Sequence, residues 1–439
     1  MSFSRDHAIA WQVFPLGALG APTINPEYGG EPPSGRTLAD LIPWLDHALK
    51  LGTNVLLLGP IFQSYSHGYD TTDYFRIDSR LGTREDFDAL IAAAHERGIK
   101  VILDGVFNHV GSRHPFLTEL TDGPDAAHAD FFHVNWEGWT AGELPDYHCF
   151  EGHTGLATLN HTNPRVHEYI TEVMTYWLEA GADGWRLDAA YSMDPHVWQA
   201  ILPSVREVFP EVWIVGEVIH GNYAQMVADS GWDSITQYEL WKSIWSSLND
   251  GNFYEFDWNL RRHSEWAEQF LPLTFIGNHD VTRIATQLDN PEHVGLAAAI
   301  LFTIAGVPSV YYGDEIGFTG LKEERLGGDD AIRQALPASP RGVTDTSEGA
   351  HFWHWYASLI ALRRQLPWLQ RAHITVEHLE NTVIRYRSSS AEGDEHITVV
   401  LNCGDQPIPR THPALEGIGE LRAGQFDDDQ LRAHAYLIA

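Results

Sequence analysis

Short apolar runs alternate with amphipathic helical segments along most of this chain, and a chain so patterned has to bury its strands beneath layers of helix. The stretch from Thr83 shows the unit. Thr83 can cap a helix with Asp86 three residues on. Phe87, Leu90, Ile91 and Ala94 then share one face until Gly98 stops it. Val101-Ile102-Leu103 follows as an unbroken apolar run, as expected of a strand covered on both faces. The unit recurs. Asn163-Pro164 opens a helix whose Val166, Ile170, Val173, Trp177 and Leu178 face inward, and the strand Gly184 to Asp188 comes after Gly181. Asp194-Pro195 opens another, ahead of the strand Val212 to Glu217.

Further strands are expected at 9–13, 54–58, 234–237, 273–277 and 309–312, which brings the number to eight. Eight βα units predict an α/β chain folded as a closed (β/α)8 TIM barrel, with a doubly wound sheet as the alternative. Between Asp104 and Asn163 lie about 50 residues rich in Gly, His, Asp and aromatics, too long for a structureless loop, so a small inserted domain is expected over the strand ends. After Pro367 the helical pattern gives way to short runs that read as antiparallel strands. The expected division is barrel 1–107, inserted domain 108–160, barrel 161–370 and a C-terminal β-sandwich 371–439.

A formal charge of −32 on 439 residues makes nucleic acid and anionic membranes poor partners. No basic segment leads into an apolar core at the N-terminus and no run of ~18 apolar residues occurs. A cytoplasmic protein is expected, and the two distant cysteines, Cys149 and Cys403, fit free thiols in a reducing compartment.

In a parallel barrel, reacting groups sit where strands end. Here the ends offer Asp104, Asn108 and His109; Arg186 and Asp188; Glu217; and Asn278, His279 and Asp280. So many ionisable groups at one end of a barrel is not a core pattern. Glycosidic cleavage needs one ionised and one protonated carboxyl group about the anomeric carbon. Arg186, two residues before Asp188, is expected to keep Asp188 ionised as nucleophile. Glu217 has no basic neighbour in sequence, and crowding by Asp188 and Asp280 suits it to general acid/base work. Adjacent strands allow about 5–5.5 Å between the pair, the retaining geometry. Asp280 is a third carboxylate that can favour an oxocarbenium-like transition state, and His109 and His279 can bind sugar hydroxyls.

The segments Asp104-Gly-Val-Phe-Asn-His109, Gly184-Trp-Arg-Leu-Asp188, Gly216-Glu217 and Phe275-Ile-Gly-Asn-His-Asp280 resemble, in order and spacing, the four conserved blocks of the α-amylase family of glycoside hydrolases. Tyr69 in His67-Gly-Tyr-Asp70 resembles the family's aromatic platform, Leu156 to Asn160 its extra block, and Tyr311 to Ile316 its eighth-strand segment. The resemblance implies a retaining mechanism on α-linked glucose with Asp188 as nucleophile, Glu217 as acid/base and Asp280 as stabiliser. It also implies that Tyr69, His109, Arg186 and His279 shape the subsite for the glucose. Asp70 beside Tyr69 is a further substrate-binding candidate, as is Arg333 on the charged loop after strand eight, where a solvated loop is the default reading. Val215 to His220 is similar to the intracellular cyclomaltodextrinase and neopullulanase branch, although the barrel pattern begins near residue 9, without that branch's N-terminal β domain. Trp136 and Trp139 are candidates for the rim of the cleft.

The expected function is hydrolysis of α-1,4, and also α-1,6, linkages in short linear or cyclic malto-oligosaccharides, by a monomer or homodimer. Three alternatives stand beside it. A transglycosylase or isomerase would use the same site. A metal-dependent barrel hydrolase is disfavoured by Arg186 beside Asp188 and by the lack of a metal-ligand cluster in the sequence. A non-catalytic sugar-binding barrel is disfavoured by three intact carboxylates. No cofactor, metal ligand or bound calcium is expected.

Overall fold

A computed structural model describes residues 7–26, 32–325, 327–427 and 429–439. Its centre is an eight-stranded parallel sheet of β1 (Ala10–Val13), β2 (Val55–Leu58), β3 (Lys100–Gly105), β4 (Gly184–Leu187), β5 (Trp213–Gly216), β6 (Ser234–Ile235), β7 (Leu273–Phe275) and β8 (Val307–Tyr311). The order β6-β5-β4-β3-β2-β1-β8-β7 closes on itself through a parallel bridge from Thr236 to Leu273. The closed barrel, not the doubly wound sheet, is therefore what forms.

Alternation along the strands divides the apolar residues between two clusters. Ala10, Val55, Leu57, Ile102, Trp213, Val215, Leu273 and Val307 point inward and fill the barrel. Trp11, Leu56, Leu58, Val101, Leu103, Leu187 and Ile214 point outward to the helices. Gly184 stands at an inward position because a Cβ there would lie 2.3 Å from the Trp213 carbonyl oxygen.

The surrounding helices include α1 (Ile42–Leu51), α2 (Arg84–Glu96), α3 (Pro164–Glu179), α4 (Pro195–Val208), α5 (Tyr223–Ser230), α6 (Tyr238–Asp250), α7 (Tyr254–Ala267), α8 (His293–Thr303) and α9 (Ser347–Gln365). The expected starts are found. Thr83 and Asp86 form a reciprocal capping box on α2, and the Asn163 and Asp194 side chains accept backbone N–H groups at the heads of α3 and α4. Among the described residues no helix is long and apolar enough to cross a membrane.

Between β3 and α3 the chain makes a layer of short helices and paired strands. His109–Gly111 and Leu156–Thr158 pair antiparallel at its base. The C-terminal sheet runs β9 (His373–Leu379), β10 (Val383–Ser389), β11 (His396–Asn402) and β12 (Ala435–Ile438), with Ala423–Gly424 at the edge. One face, carrying Ile384, Tyr386, Val399 and Leu401, joins the main core. Val383, Val400 and Leu437 on the other pack against Ile408, Leu415 and Leu431 of a second, smaller sheet and its connections.

Candidate active site

The inward positions change character along the strands. Low in the barrel they are Ile102, Gly184 and Val215; two residues further on they are Asp104, Arg186 and Glu217, with Asp188 one step above Arg186. Pairing of Arg186 with Asp104 and of Leu187 with Gly216 puts Asp188 and Glu217 at matching positions on neighbouring strands. Neighbouring strands lie roughly 4.8 Å apart.

Arg186 is the buried hub. One guanidinium nitrogen reaches both Asp104 oxygens at 2.6 and 2.7 Å and Asp188 Oδ1 at 3.4 Å. The other lies 2.6 Å from Glu217 Oε1. Glu217 also accepts from the Ala189 backbone N–H at 2.8 Å and from the Tyr238 hydroxyl at 3.1 Å. The Asn278 amide in turn donates to Tyr238 at 2.9 Å. Burial keeps the Tyr238 phenol protonated by pushing it well above its ordinary range.

The charge order differs from the expectation that Arg186 would hold Asp188 ionised. Burial, followed by the charge of Glu217, pushes the Asp188 carboxyl well above the usual carboxylate range. The cause is how Arg186 distributes its contacts. Its short bonds go to Asp104 and to Glu217, which has no basic neighbour in sequence, and only a long one remains for Asp188.

Asp280 is the opposite case. Burial alone would raise it, but His279, Arg333 and Arg186 outweigh burial and hold it below the carboxylate range. Its oxygens lie 2.9 Å from His279 Nε2 and 2.9 Å from an Arg333 guanidinium nitrogen. His279 Nδ1 accepts from the Gln12 amide at 3.1 Å, which leaves Nε2 as the protonated nitrogen facing Asp280. Tyr69 stacks on His279 at 5.6 Å, with its hydroxyl on Nε2 and on Asp104. Phe14 stacks behind both rings, and Arg333 lies 4.4 Å over Phe14.

The structure thus brings Asp188, Glu217, Asp280, Arg186, His279, Tyr69 and Arg333 together. Two residues expected at the sugar have their polar atoms engaged by protein. The Asp70 carboxylate accepts from the Ser66 N–H and hydroxyl, closing the turn that carries Tyr69. His109 contacts the Tyr69 carbonyl through Nε2 at 3.1 Å and Asn108 through Nδ1 at 3.1 Å, and burial pushes it down to about 3, so the ring is neutral. Trp136 and Trp139 pack edge to face on each other in the inserted segment, and Trp139 donates to the Glu143 carbonyl. Sequence reading missed Gln12, Phe14, Tyr238 and Ala189. Gln12 had a signal, since it is an inward position at the end of β1; Tyr238 at the head of α6 and Ala189 in a turn are not described by strand periodicity.

Over residues 35–355 the sequence matches the family described as alpha amylase, catalytic domain. The chain is 32% identical over 423 residues to a cyclomaltodextrinase of Geobacillus thermopakistaniensis, covering 91% of this chain and 70% of that protein. It is 31% identical over 422 residues to neopullulanase 2 of Thermoactinomyces vulgaris, covering 90% and 69%. Among solved structures, cyclic alpha-maltosyl-(1→6)-maltose hydrolase from Arthrobacter globiformis matches with a TM-score of 0.83 and 29% identity, covering 99% of this chain and 98% of that one. That hydrolase has also been solved with cyclic alpha-maltosyl-(1→6)-maltose and with maltose.

Proposed function

The chain belongs to the α-amylase family of glycoside hydrolases, and on that premise we propose that it is a retaining hydrolase of short linear or cyclic malto-oligosaccharides, cleaving α-1,4 and also α-1,6 linkages. The substrate class is supported by what its relatives are named for and by the sugars bound to the Arthrobacter hydrolase. One observation carries the mechanism: Asp188 and Glu217 stand at matching positions on adjacent strands and share Arg186, with an ionised Asp280 beside them.

In this reading Asp188 attacks the anomeric carbon, Glu217 protonates the departing oxygen and then deprotonates the incoming water, and Asp280 stabilises the developing positive charge. Asp188 and Glu217 face each other from neighbouring strands, and the charge of Glu217 disfavours ionisation of Asp188, so in this reading the pair holds one proton. A glycosidic oxygen entering between them offers Glu217 an acceptor. Positive charge growing on the anomeric carbon favours an ionised Asp188. The first effect draws the proton to Glu217 as substrate binds, and the second keeps Asp188 ionised as the glycosidic bond breaks. Tyr69, stacked on His279, presents the platform for the sugar ring, and Arg333 acts through Asp280.

Incubation with a fluorinated glucosyl fluoride tests the assignment. Mass spectrometry of the peptide containing Trp185 is expected to show a glycosyl adduct on Asp188. An adduct on Glu217 reverses the roles, and inversion at the anomeric centre, read by NMR of the first product, sinks the mechanism. A panel of maltotriose, cyclodextrins, pullulan and cyclic maltosyl-maltose tests the substrate class; cleavage of none of them overturns it.

A further inference from the structure

Outside the barrel the fold assembles a ligand set that sequence spacing does not announce. His378 lies near the end of β9, Glu380 just beyond it, and His412 caps the short helical turn Pro413–Leu415. Their ligand atoms all lie within 4.8 Å of one another, and this is the one such group of three among the described residues. His378 Nε2 is 2.8 Å and His412 Nε2 3.4 Å from Glu380 Oε1. Edges of roughly 3.3 Å are what a tetrahedral ion with bonds of about 2.0–2.1 Å requires.

The backbone builds this cluster on purpose-made geometry. The β9–β10 register slips between Val376 and His378, with Val376 opposite Tyr386 and His378 opposite Arg385. In an unbroken ladder Glu377 would stand opposite Arg385 and His378 opposite Ile384, on the face of Tyr386 that is packed in the main core. The bulge instead turns His378 and Glu380 towards the turn that carries His412. Arg385 holds that turn from below, donating to the Ala414 carbonyl at 3.4 Å and the Glu416 carbonyl at 2.5 Å. Its own charge is engaged by Glu377 at 2.7 Å.

We propose that His378, Glu380 and His412 bind a zinc ion that ties β9 to the 413–415 turn, with the fourth position left to water. Two imidazoles and one carboxylate suit zinc; a calcium site needs mostly oxygen ligands, and this one offers a single carboxylate. Proton balance is simple. His412 Nδ1 now accepts from the Ala414 N–H at 3.2 Å, so Nε2 carries the proton. His378 Nε2 likewise donates to Glu380 at 2.8 Å. Zinc takes the Nε2 lone pair of both imidazoles, in each ring the proton moves from Nε2 to Nδ1 through solvent, and the long cap bond to Ala414 is given up.

The test uses full-length protein stripped with chelator and titrated with zinc chloride alone, followed by calorimetry and by cobalt substitution. One equivalent is expected, with the visible bands of a four-coordinate cobalt site. His378→Gln and His412→Asn are each expected to weaken binding at least about tenfold, and asparagine keeps a capping acceptor at the turn. Hydrolytic activity of the two variants is expected to stay at the parent level. Binding of less than one equivalent, or affinity unchanged in both variants, overturns the site.

Discussion

Arg186 and Glu217, on neighbouring barrel strands, meet at 2.6 Å, closer than Arg186 comes to Asp188 on its own strand. The guanidinium serves Asp104 on one side and Glu217 on the other, and both ends of the fork are used. An ammonium is a point charge and cannot reach both acids at once. Arg186→Lys is therefore expected to strand one buried carboxylate, at a cost of about 3–5 kcal/mol. Steady-state kinetics should show kcat at least ~100-fold lower, and thermal unfolding should show a lowered Tm. A variant within threefold of the parent would mean that Arg186 is not the hub described here.

Arg333 reaches Asp280 from the loop after β8, and with His279 and Arg186 it keeps that carboxyl below its usual range. Arg333→Met removes one of the charges while keeping much of the apolar contact with Phe14. The Asp280 carboxyl then rises, so protonation sets in at higher pH. Asp188, raised well above the carboxylate range, sets the acidic limb of kcat/KM, so that limb is expected to stay in place while kcat/KM falls at least ~tenfold across the whole profile, because Asp280 is less well held to stabilise positive charge. A pH–rate profile measured on both proteins decides this; an unchanged kcat/KM at every pH would detach Arg333 from Asp280.

Much of the frame was legible in the sequence because two signals agreed. Inward strand positions alternate with outward ones, and helix caps such as Thr83, Asn163 and Asp194 mark where each strand's successor begins. Strand ends therefore identified Asp104, Arg186, Asp188, Glu217 and Asp280 without knowledge of their contacts. What strand periodicity cannot carry is which acid an arginine chooses. Arg186 is two residues from Asp188, yet register across β3, β4 and β5 directs it to Asp104 and Glu217. Asp70 and His109 show a related limit: a polar residue beside a site can also be holding the backbone that carries the platform, as both do for Tyr69. The cluster of His378, Glu380 and His412 was invisible because a β-bulge and a turn some thirty residues later create it.

Several histidines are buried neutral. Burial pushes His109 and His114 down to about 3, and His161 and His263 to about 4. In the unfolded chain each titrates near 6.5. Between these values the unfolded state binds more protons, so stability is full above about pH 6.5 and falls as the pH drops towards 4. Each group contributes a slope of about 1.4 kcal/mol per pH unit in that window. His263, in α7, donates to the Ala305 carbonyl at 3.0 Å and makes no hydrogen bond to the reacting carboxylates. His263→Gln keeps a donor but cannot titrate. Urea unfolding at pH 6.5, 5.5 and 4.5 is expected to show a shallower decline for the variant by about that slope; equal slopes would show that His263 is already charged in the fold.

Ala189, the residue after Asp188, has φ 46° and ψ 32°, a left-handed conformation that costs a residue with a Cβ about 1–2 kcal/mol. It is buried, so nothing in solvent explains the choice. What the conformation achieves is visible in its N–H, which turns to Glu217 Oε2 at 2.8 Å. Ala189→Gly should keep the turn with less strain, offset by the greater freedom of glycine in the unfolded chain, leaving stability within about 1 kcal/mol and kcat within severalfold. Ala189→Val adds a branched side chain where left-handed backbone tolerates it least. It is expected to push the turn out of the left-handed region, withdraw the N–H from Glu217 and lower kcat by ten- to a hundredfold, in keeping with the loss of about 1.5–3 kcal/mol for a bond to a charged acceptor. Matched kinetics and circular dichroism on the two variants separate a local effect from misfolding. A valine variant with parental kcat would show that the Glu217 carboxylate does not depend on this backbone donor.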